Sequence, residues 1–518
     1  MTRCPAAVLA LGLLLPPPAG SVDTSEDEPA RIVHTLNRLG YGPRPGDVER
    51  VRELGLERWI ERQLHPEGIR DEAVEARLAP LEILRLSSKE ILAGYDIPGE
   101  VKREIQKKRA ELDGPEEQAR QTKRELARMA APEMDGPPKM VVAQLQAAKL
   151  IRAVHGERQL DEVLVDFWMN HFNVFAGKGP ERHLIVEYER DVIRPHAWGR
   201  FEDLLKATAA SPAMLLYLEN WLSTDPKAME DLKALLARRT TQPRLPKWRR
   251  RGVMAEQGSD REERRQLEEP LSRRSGLNEN YARELMELHT LGVDGGYSQS
   301  DVTEVARCFT GWTIRGQRDG DPRFDFEERF HARGAKLVLD QKIEEGGKGE
   351  GDRVLHLLAT HPATARFISA KLARRFVADE PPASLVDRAA AAFRESEGNI
   401  REVVRTIVTS PEFLAAEARG AKVKTPLEFV ASAVRAADGE VEDARVLAKR
   451  LEEMGMPLYL QAPPTGYKDT ADAWLSTGSL LARLNFAVDL AAGRVPGVCT
   501  AAARVDGPAL GSPEFQRR

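Results

Sequence analysis

Cysteine is scarce: Cys4, Cys308 and Cys499 are the only three in 518 residues. That excludes a disulfide framework. No CxxC or HExxH pattern occurs, so the usual structural zinc and zincin sites are excluded as well. A nucleophile elbow, a P-loop and a dinucleotide fingerprint are all missing. Aromatic residues make up only 6% of the chain. Neither sign of charge dominates: 77 Lys and Arg stand against 81 Asp and Glu, for a net charge of −4. This excludes a globally basic nucleic-acid binder and a disordered acidic chain. No apolar run approaches the ~20 residues that a membrane-spanning helix needs.

What remains is 42% hydrophobic and 31% charged, rich in Ala, Leu, Glu and Arg. Straight-chain residues lose little rotamer freedom in a helix, so the composition predicts a mainly α fold. The expected architecture is a multi-helix composite domain with minor β structure and charged helical and loop insertions. Residues 1–21 combine Arg3, the apolar run Ala6–Leu15 and small residues at Ala19–Ser21, the pattern of a secretory signal peptide. The expected location is therefore periplasmic or extracellular. Residues 22–30 are acidic and polar and read as a linker. Residues 31–495 form the helical domain, with charged insertions at about 99–138 and 233–276. Residues 496–518 are small and polar and are expected to be a disordered tail. A Cys308–Cys499 bridge is compatible with an oxidising compartment, but nothing in the spacing supports it.

Two segments carry most of the chemistry. Asn278–Gly292 reads NENYARELMELHTLG. On a helix, Asn280, Glu284 and Glu287 share one stripe with Arg283 beside Glu287, while Tyr281, Ala282, Leu285, Met286 and Leu288 form an apolar arc containing His289. Glu284 and Glu287 can bind a hard cation, or divide acid and base roles, if another element closes over them. A plain Glu287–Arg283 surface pair explains the same spacing. Gly292 fits a helix C-cap, and Ser298–Asp301 fits a capping box. In Phe167–Asn173, FWMNHFN, a helix places Asp166, Asn170 and Asn173 on a narrow polar stripe with His171 at its apolar edge. These amides suit either ligand binding or a buried hydrogen-bonded network. His331, Lys336 and the cations Lys371, Arg374 and Arg375 complete the polar inventory. The last three can meet an anion or pair with the glutamates. His361–Pro362 reads as a helix entrance. The basic run Lys247–Arg251, with Trp248 inside it, reads as a solvated loop more readily than as a nucleic-acid contact.

Phe201–Met214 (FEDLLKATAASPAM) and Ile400–Phe413 (IREVVRTIVTSPEF) are both amphipathic and both end in Ser-Pro. Either an internal duplication or two helices stopped in the same way accounts for this.

The run NENYARELMELHTLGVDGGYSQSDVTEVARCFTGW, from Asn278 to Trp312, resembles the signature of a bacterial family known as domain of unknown function number eighteen hundred. FWMNHFNVF (Phe167–Phe175), SPAMLLYLEN (Ser211–Asn220), HPATARFISAKLARRFV (His361–Val377), KTPLEFV (Lys424–Val430) and PPTGYKDTADAWLS (Pro463–Ser476) match the same pattern. The resemblance covers about Ile32 to Leu490. It implies an exported, largely helical protein, often encoded beside a sulfatase-like exported protein. It brings no settled reaction or cofactor, so no catalytic residue carries over. The 233–276 insertion is longer than the family pattern. Ala332 follows His331 where an acidic residue is expected, which weakens a His-plus-Asp metal site there.

Two functions remain open. The first is a binding or assembly protein whose partner is a secreted, sulfatase-like protein. The alternative is a cation-dependent hydrolase. Its catalytic groups would be Glu284, Glu287 and His331, with Glu284 and Glu287 as ligands to a divalent metal. Asn170, His171, Asn173, Asn280, Arg283 and Lys336 would be binding residues.

Overall fold

Segments whose apolar residues recur at helical spacing bury that face against one another, and this chain consists largely of such segments. A computed structural model describes residues 24–96, 137–240, 274, 276–317, 319–500 and 507–518. The expected signal peptide, most of both charged insertions and the Lys247–Arg251 run lie outside these residues. The fold is mainly α. Its helices are α1 (Thr24–Arg38), α2 (Asp47–Leu54), α3 (Leu56–Gln63), α4 (Glu72–Leu78), α5 (Ser88–Tyr95), α6 (Pro137–His155), α7 (Gln159–His171) and α8 (Glu181–Glu187). A wide turn at Tyr188–Ile193 prolongs α8. Then come α9 (Phe201–Ala209), α10 (Pro212–Tyr217), α11 (Pro226–Thr240), α12 (Glu279–Glu287) and α13 (Gln299–Cys308). Two hairpins follow: β1 (Trp312–Arg315) with β2 (Arg323–Phe326), and β3 (Lys336–Val338) with β4 (Gln341–Ile343), both antiparallel. The second half contains α14 (Lys348–Thr360), α15 (Pro362–Phe376), α16 (Ala383–Glu395), α17 (Ile400–Val408), α18 (Pro411–Leu414), α19 (Pro426–Ala436), α20 (Ala444–Glu453), α21 (Thr477–Ala491) and α22 (Gly507–Gly511). A two-residue pair, β5 (Glu440–Val441) and β6 (Val498–Cys499), closes it.

Helix α6 lies at the centre of the first half and packs against α4, α5, α7, α8, α19 and α20. Its Val141, Leu145, Ala148, Leu150, Ile151 and Val154 are all buried. In the second half α15 packs on α14, α16 and α17. One continuous apolar core runs through both halves. Among the described residues no helix is long and apolar enough to cross a membrane. Cys308 is buried in α13 and Cys499 is exposed on β6; both are free thiols.

The two Ser-Pro segments face each other. Phe201 N–H donates to Gly398 O (2.8 Å), and Ile400 N–H donates to Gly199 O (2.9 Å). Each segment is a helix, a Ser-Pro break and a second short helix. The two bonds form an isolated antiparallel bridge between Arg200 and Asn399, ahead of the two helices, a pairing that both alternatives accommodate.

Both ends differ from expectation. Thr24–Pro29, within the stretch read as a linker, lies in α1. Acidic residues suit a helix N-terminus, and the Asp27 carboxylate takes both guanidinium nitrogens of Arg419. The expected tail is docked where it is described. Lys424 N–H donates to Gln516 O (2.9 Å), Arg518 N–H donates to Lys422 O (2.8 Å), and the buried Arg518 guanidinium lies 3.1 Å from Glu428. A partner for Arg518 and an apolar seat for Leu510 explain the order; composition alone conveys neither.

Candidate functional site

A cavity of about 400 Å³ opens between α7, α15 and the segment 456–474 that leads from α20 to α21. Helix α7 supplies Asp166, Asn170 and His171, with Asn173 just beyond its end. The helix stops because Phe172 leaves helical geometry, and the Tyr188 hydroxyl donates to the Phe172 carbonyl (2.8 Å). Helix α15 begins at His361, whose Nδ1 accepts from Ala363 N–H, with Pro362 in the first turn. From that start Lys371, Arg374 and Arg375 fall three and four residues apart, and all three line the cavity.

Segment 456–474 has almost no regular structure, so its backbone groups need outside partners. Asn173 Nδ2 donates to Gln461 O and Pro463 O (2.9 Å each), and Tyr217 Oη donates to Ala462 O (2.6 Å). Asn170 bonds Tyr467, and Gln146 donates to Leu458 O (3.0 Å). Tyr459 sits at φ 63°, held by its carbonyl to Ala176 N–H and by its hydroxyl to Glu189 (2.5 Å). Burial works against the Glu189 charge, but Arg194, Lys149 and Arg152 hold its carboxyl at about 2.

The cations of the cavity are not equivalent. Lys149 pairs with Asp166 at 2.5 Å. Arg375 is buried and bound to Glu428. Arg374 donates to the Asp379 carbonyl (2.9 Å). Lys371 Nζ lies 2.8 Å from His171 Nδ1. His171 is buried, and its Nε2 donates to His289 O (3.1 Å), which leaves Nδ1 as the lone-pair side. Burial first, then Lys371 and His289, keeps His171 well below the usual histidine range. Lys371 lies deep in the molecule while part of its surface opens on the cavity. Burial, aided by Arg374, pulls it down to about 8. Phe167, Met169, Met456, Leu458, Tyr467 and Trp474 supply the apolar wall.

The other predicted residues lie elsewhere. Asn280 is exposed and lines a shallow polar hollow with Lys178 and Glu219. Arg283 donates to Gln299 Oε1 (2.6 Å) and is not bonded to Glu287. Glu287 accepts from Tyr297 Oη (3.3 Å). Glu284 is half-buried; burial and the neighbouring Glu287 push its carboxyl up. Neither glutamate lines the cavity or pairs with Lys371, Arg374 or Arg375. His331 and Lys336 form a third, separate cluster: His331 Nε2 and Lys336 Nζ lie 3.0 and 2.6 Å from Glu350 Oε2, all buried. A lysine enclosed in this way has no face for a ligand. Among the described residues no group of three or more His, Cys, Asp or Glu is arranged to hold a metal ion.

Helix α12 ends at Glu287, and Gly292 does not cap it. His289 N–H and Leu291 N–H reach back five residues to Glu284 O and Met286 O, and this wide turn ends the helix first. The Ser298–Asp301 capping box is present. Lys149, Tyr459, Tyr467, Asp469 and Trp474 line the cavity without having been singled out in the sequence. The one available signal was the dense PPTGYKDTADAW run, which has no helical period to orient it.

These features define a mainly helical protein with a cation-lined internal cavity beneath a side-chain-held strap. The family described as Protein of unknown function (DUF1800) matches residues 34–516, and the chain belongs to it. No curated protein and no solved structure matches the chain.

Proposed function

We propose that the protein is a binding protein whose cavity takes a small ligand with an anionic group and an apolar body. One observation carries this reading: Lys371 faces the cavity with an imidazole lone pair, not a carboxylate, as its hydrogen-bond partner. A cation held deep in a protein without an anionic partner costs several kcal/mol, and an anion arriving from outside offsets that cost. The volume falls in the range of small-molecule sites. Calorimetric titration with sulfate, phosphate and benzoate tests it. Saturable binding of one of them, lost by at least about tenfold in Lys371→Met, supports the proposal. Absence of binding by all three, or unchanged affinity in the variant, overturns it.

The proposal extends to place and partner. Residues 1–21 have the composition of an export signal. The sulfatase-like partner rests on the family resemblance alone, and co-purification from an extracytoplasmic fraction tests both. A cation-dependent hydrolase built on Glu284 and Glu287 is the competing reading. It draws on the raised Glu284 carboxyl and gives a separable outcome: metal content lost in Glu284→Gln and Glu287→Gln, with anion affinity intact.

A further inference from the structure

Three of the four fully buried lysines are paired with a carboxylate, and the fourth, Lys424, is closed off from the cavity over the Phe515 ring (3.9 Å); Lys371 is the lysine without a carboxylate partner that opens on the cavity. Lys149 is paired with Asp166 (2.5 Å), Lys336 with Glu350 (2.6 Å) and Lys422 with Asp379 (2.6 Å). A carboxylate at that distance keeps an ammonium charged and its nitrogen lone pair unavailable. Lys371 has no such pair among the described residues; its neighbour is His171 Nδ1 at 2.8 Å. Because His171 Nε2–H is committed to the His289 carbonyl, Nδ1 can only accept. One N–H of Lys371 is thereby fixed toward α7, while the side chain lines the cavity.

Building on the anionic-ligand reading, we infer that Lys371 is a carbonyl-reactive amine and that the ligand class is a small anionic aldehyde or ketone. After the ammonium gives a proton to water, the Nζ lone pair attacks the carbonyl carbon. The C=O π pair moves to oxygen, which takes up a proton to give a carbinolamine. One N–H proton then passes from nitrogen to the hydroxyl, which leaves as water while the nitrogen pair so freed forms C=N. In sum, the ammonium and the carbonyl compound give a protonated imine and one water, without oxidant or reductant. His171 is the positioning residue that aims Nζ. Burial brings Lys371 to about 8, so the free amine is accessible near neutral pH. The charged or titratable groups that act on Nζ are Arg374 on its own helix, His171 on α7, His289 after α12 and Asp469 on the strap.

Glyoxylate with borohydride trapping and peptide mass mapping tests the inference on the full chain. The expected result is label at Lys371 exceeding that at any exposed lysine by at least about tenfold. Labelling rises through about pH 8 instead of the ~10 of an exposed lysine, and excess sulfate suppresses it. Lys371→Arg has no nucleophilic amine at these pH values and loses the label. Label spread over surface lysines, with sulfate still bound, overturns the imine and leaves the anion site standing. Neither label at Lys371 nor anion binding overturns both.

Discussion

Asn170 and Tyr467, 297 residues apart, exchange two hydrogen bonds: the Asn170 Nδ2–H donates to the Tyr467 carbonyl (2.8 Å) and the Tyr467 N–H donates to Asn170 Oδ1 (2.7 Å). A primary amide is suited to this, since it offers one donor and one acceptor side by side, as a β-strand neighbour does. The strap over the cavity is thus pinned by a side chain that imitates backbone.

Asn170→Ala is expected to destabilise the protein by about 1–3 kcal/mol, because both Tyr467 groups lose their partner. Its marker is faster proteolysis within residues 456–474 at unchanged helical circular dichroism. Asn170→Asp keeps the acceptor but sets a carboxylate oxygen against the Tyr467 carbonyl, so it should do no better than alanine. Gly466→Ala should do the same: Gly466 has φ +68°, and an added Cβ meets the Asn170 carbonyl oxygen at 2.3 Å. Wild-type proteolysis in all three variants would show that the strap is held by other bonds.

Helical period exposed the stripe of Asp166, Asn170 and Asn173 in the sequence, and the structure turns that stripe to the cavity. The period orients a residue on its own helix and says nothing of what lies across from it. Asn280, Glu284 and Glu287 share a face equally well, yet they lie away from the cavity. Lys371 became notable only through contact with His171, 200 positions away. The strap was illegible for another reason: a segment without a period owes its position to outside partners such as Asn173 and Tyr217. The same holds for residues 507–518, whose order depends on Glu428 and the Lys422–Lys424 backbone.

Glu350 is a second place where pairing decides the outcome. Burial opposes its charge, but hydrogen bonds from His331 and Lys336 bring its carboxyl to about 2. Glu350→Gln leaves the enclosed Lys336 ammonium uncompensated and is expected to cost about 3–5 kcal/mol. Lys336→Met with Glu350→Leu removes both charges and should cost less than the two single changes summed. Urea unfolding measures all of them. Cys308 provides a second readout: burial, then Glu350, raises its thiol to about 12, so it should label only on unfolding while exposed Cys499 labels at once. A Glu350→Gln protein within about 1 kcal/mol of wild type would mean that water reaches this cluster.

Acid should weaken the fold in two stages. Burial, assisted by nearby cations, holds His34 and His155 at about 4 and His289 at about 3, with His171 also far below its ordinary value. In the unfolded chain these side chains titrate near ~6.5. As pH falls below that value the unfolded state binds protons that the folded state does not, so stability declines between about 6.5 and 4. The loss from pH 7 to 5 is about 2 kcal/mol for each such histidine. The carboxyls of Glu189, Glu350 and Glu428 act lower down, because each stands at about 2 in the fold against 4.5 ordinarily. Their contribution is complete above the unfolded value and disappears as pH drops toward 2. Urea midpoints at pH 7, 6 and 5 should therefore fall steadily, and His34→Gln should flatten the slope by removing one of the four groups. Stability unchanged from pH 7 to 5 would mean that these histidines take up protons in the folded state after all, and that the Lys371–His171 pairing is not the neutral-acceptor arrangement on which the reactivity of Lys371 depends.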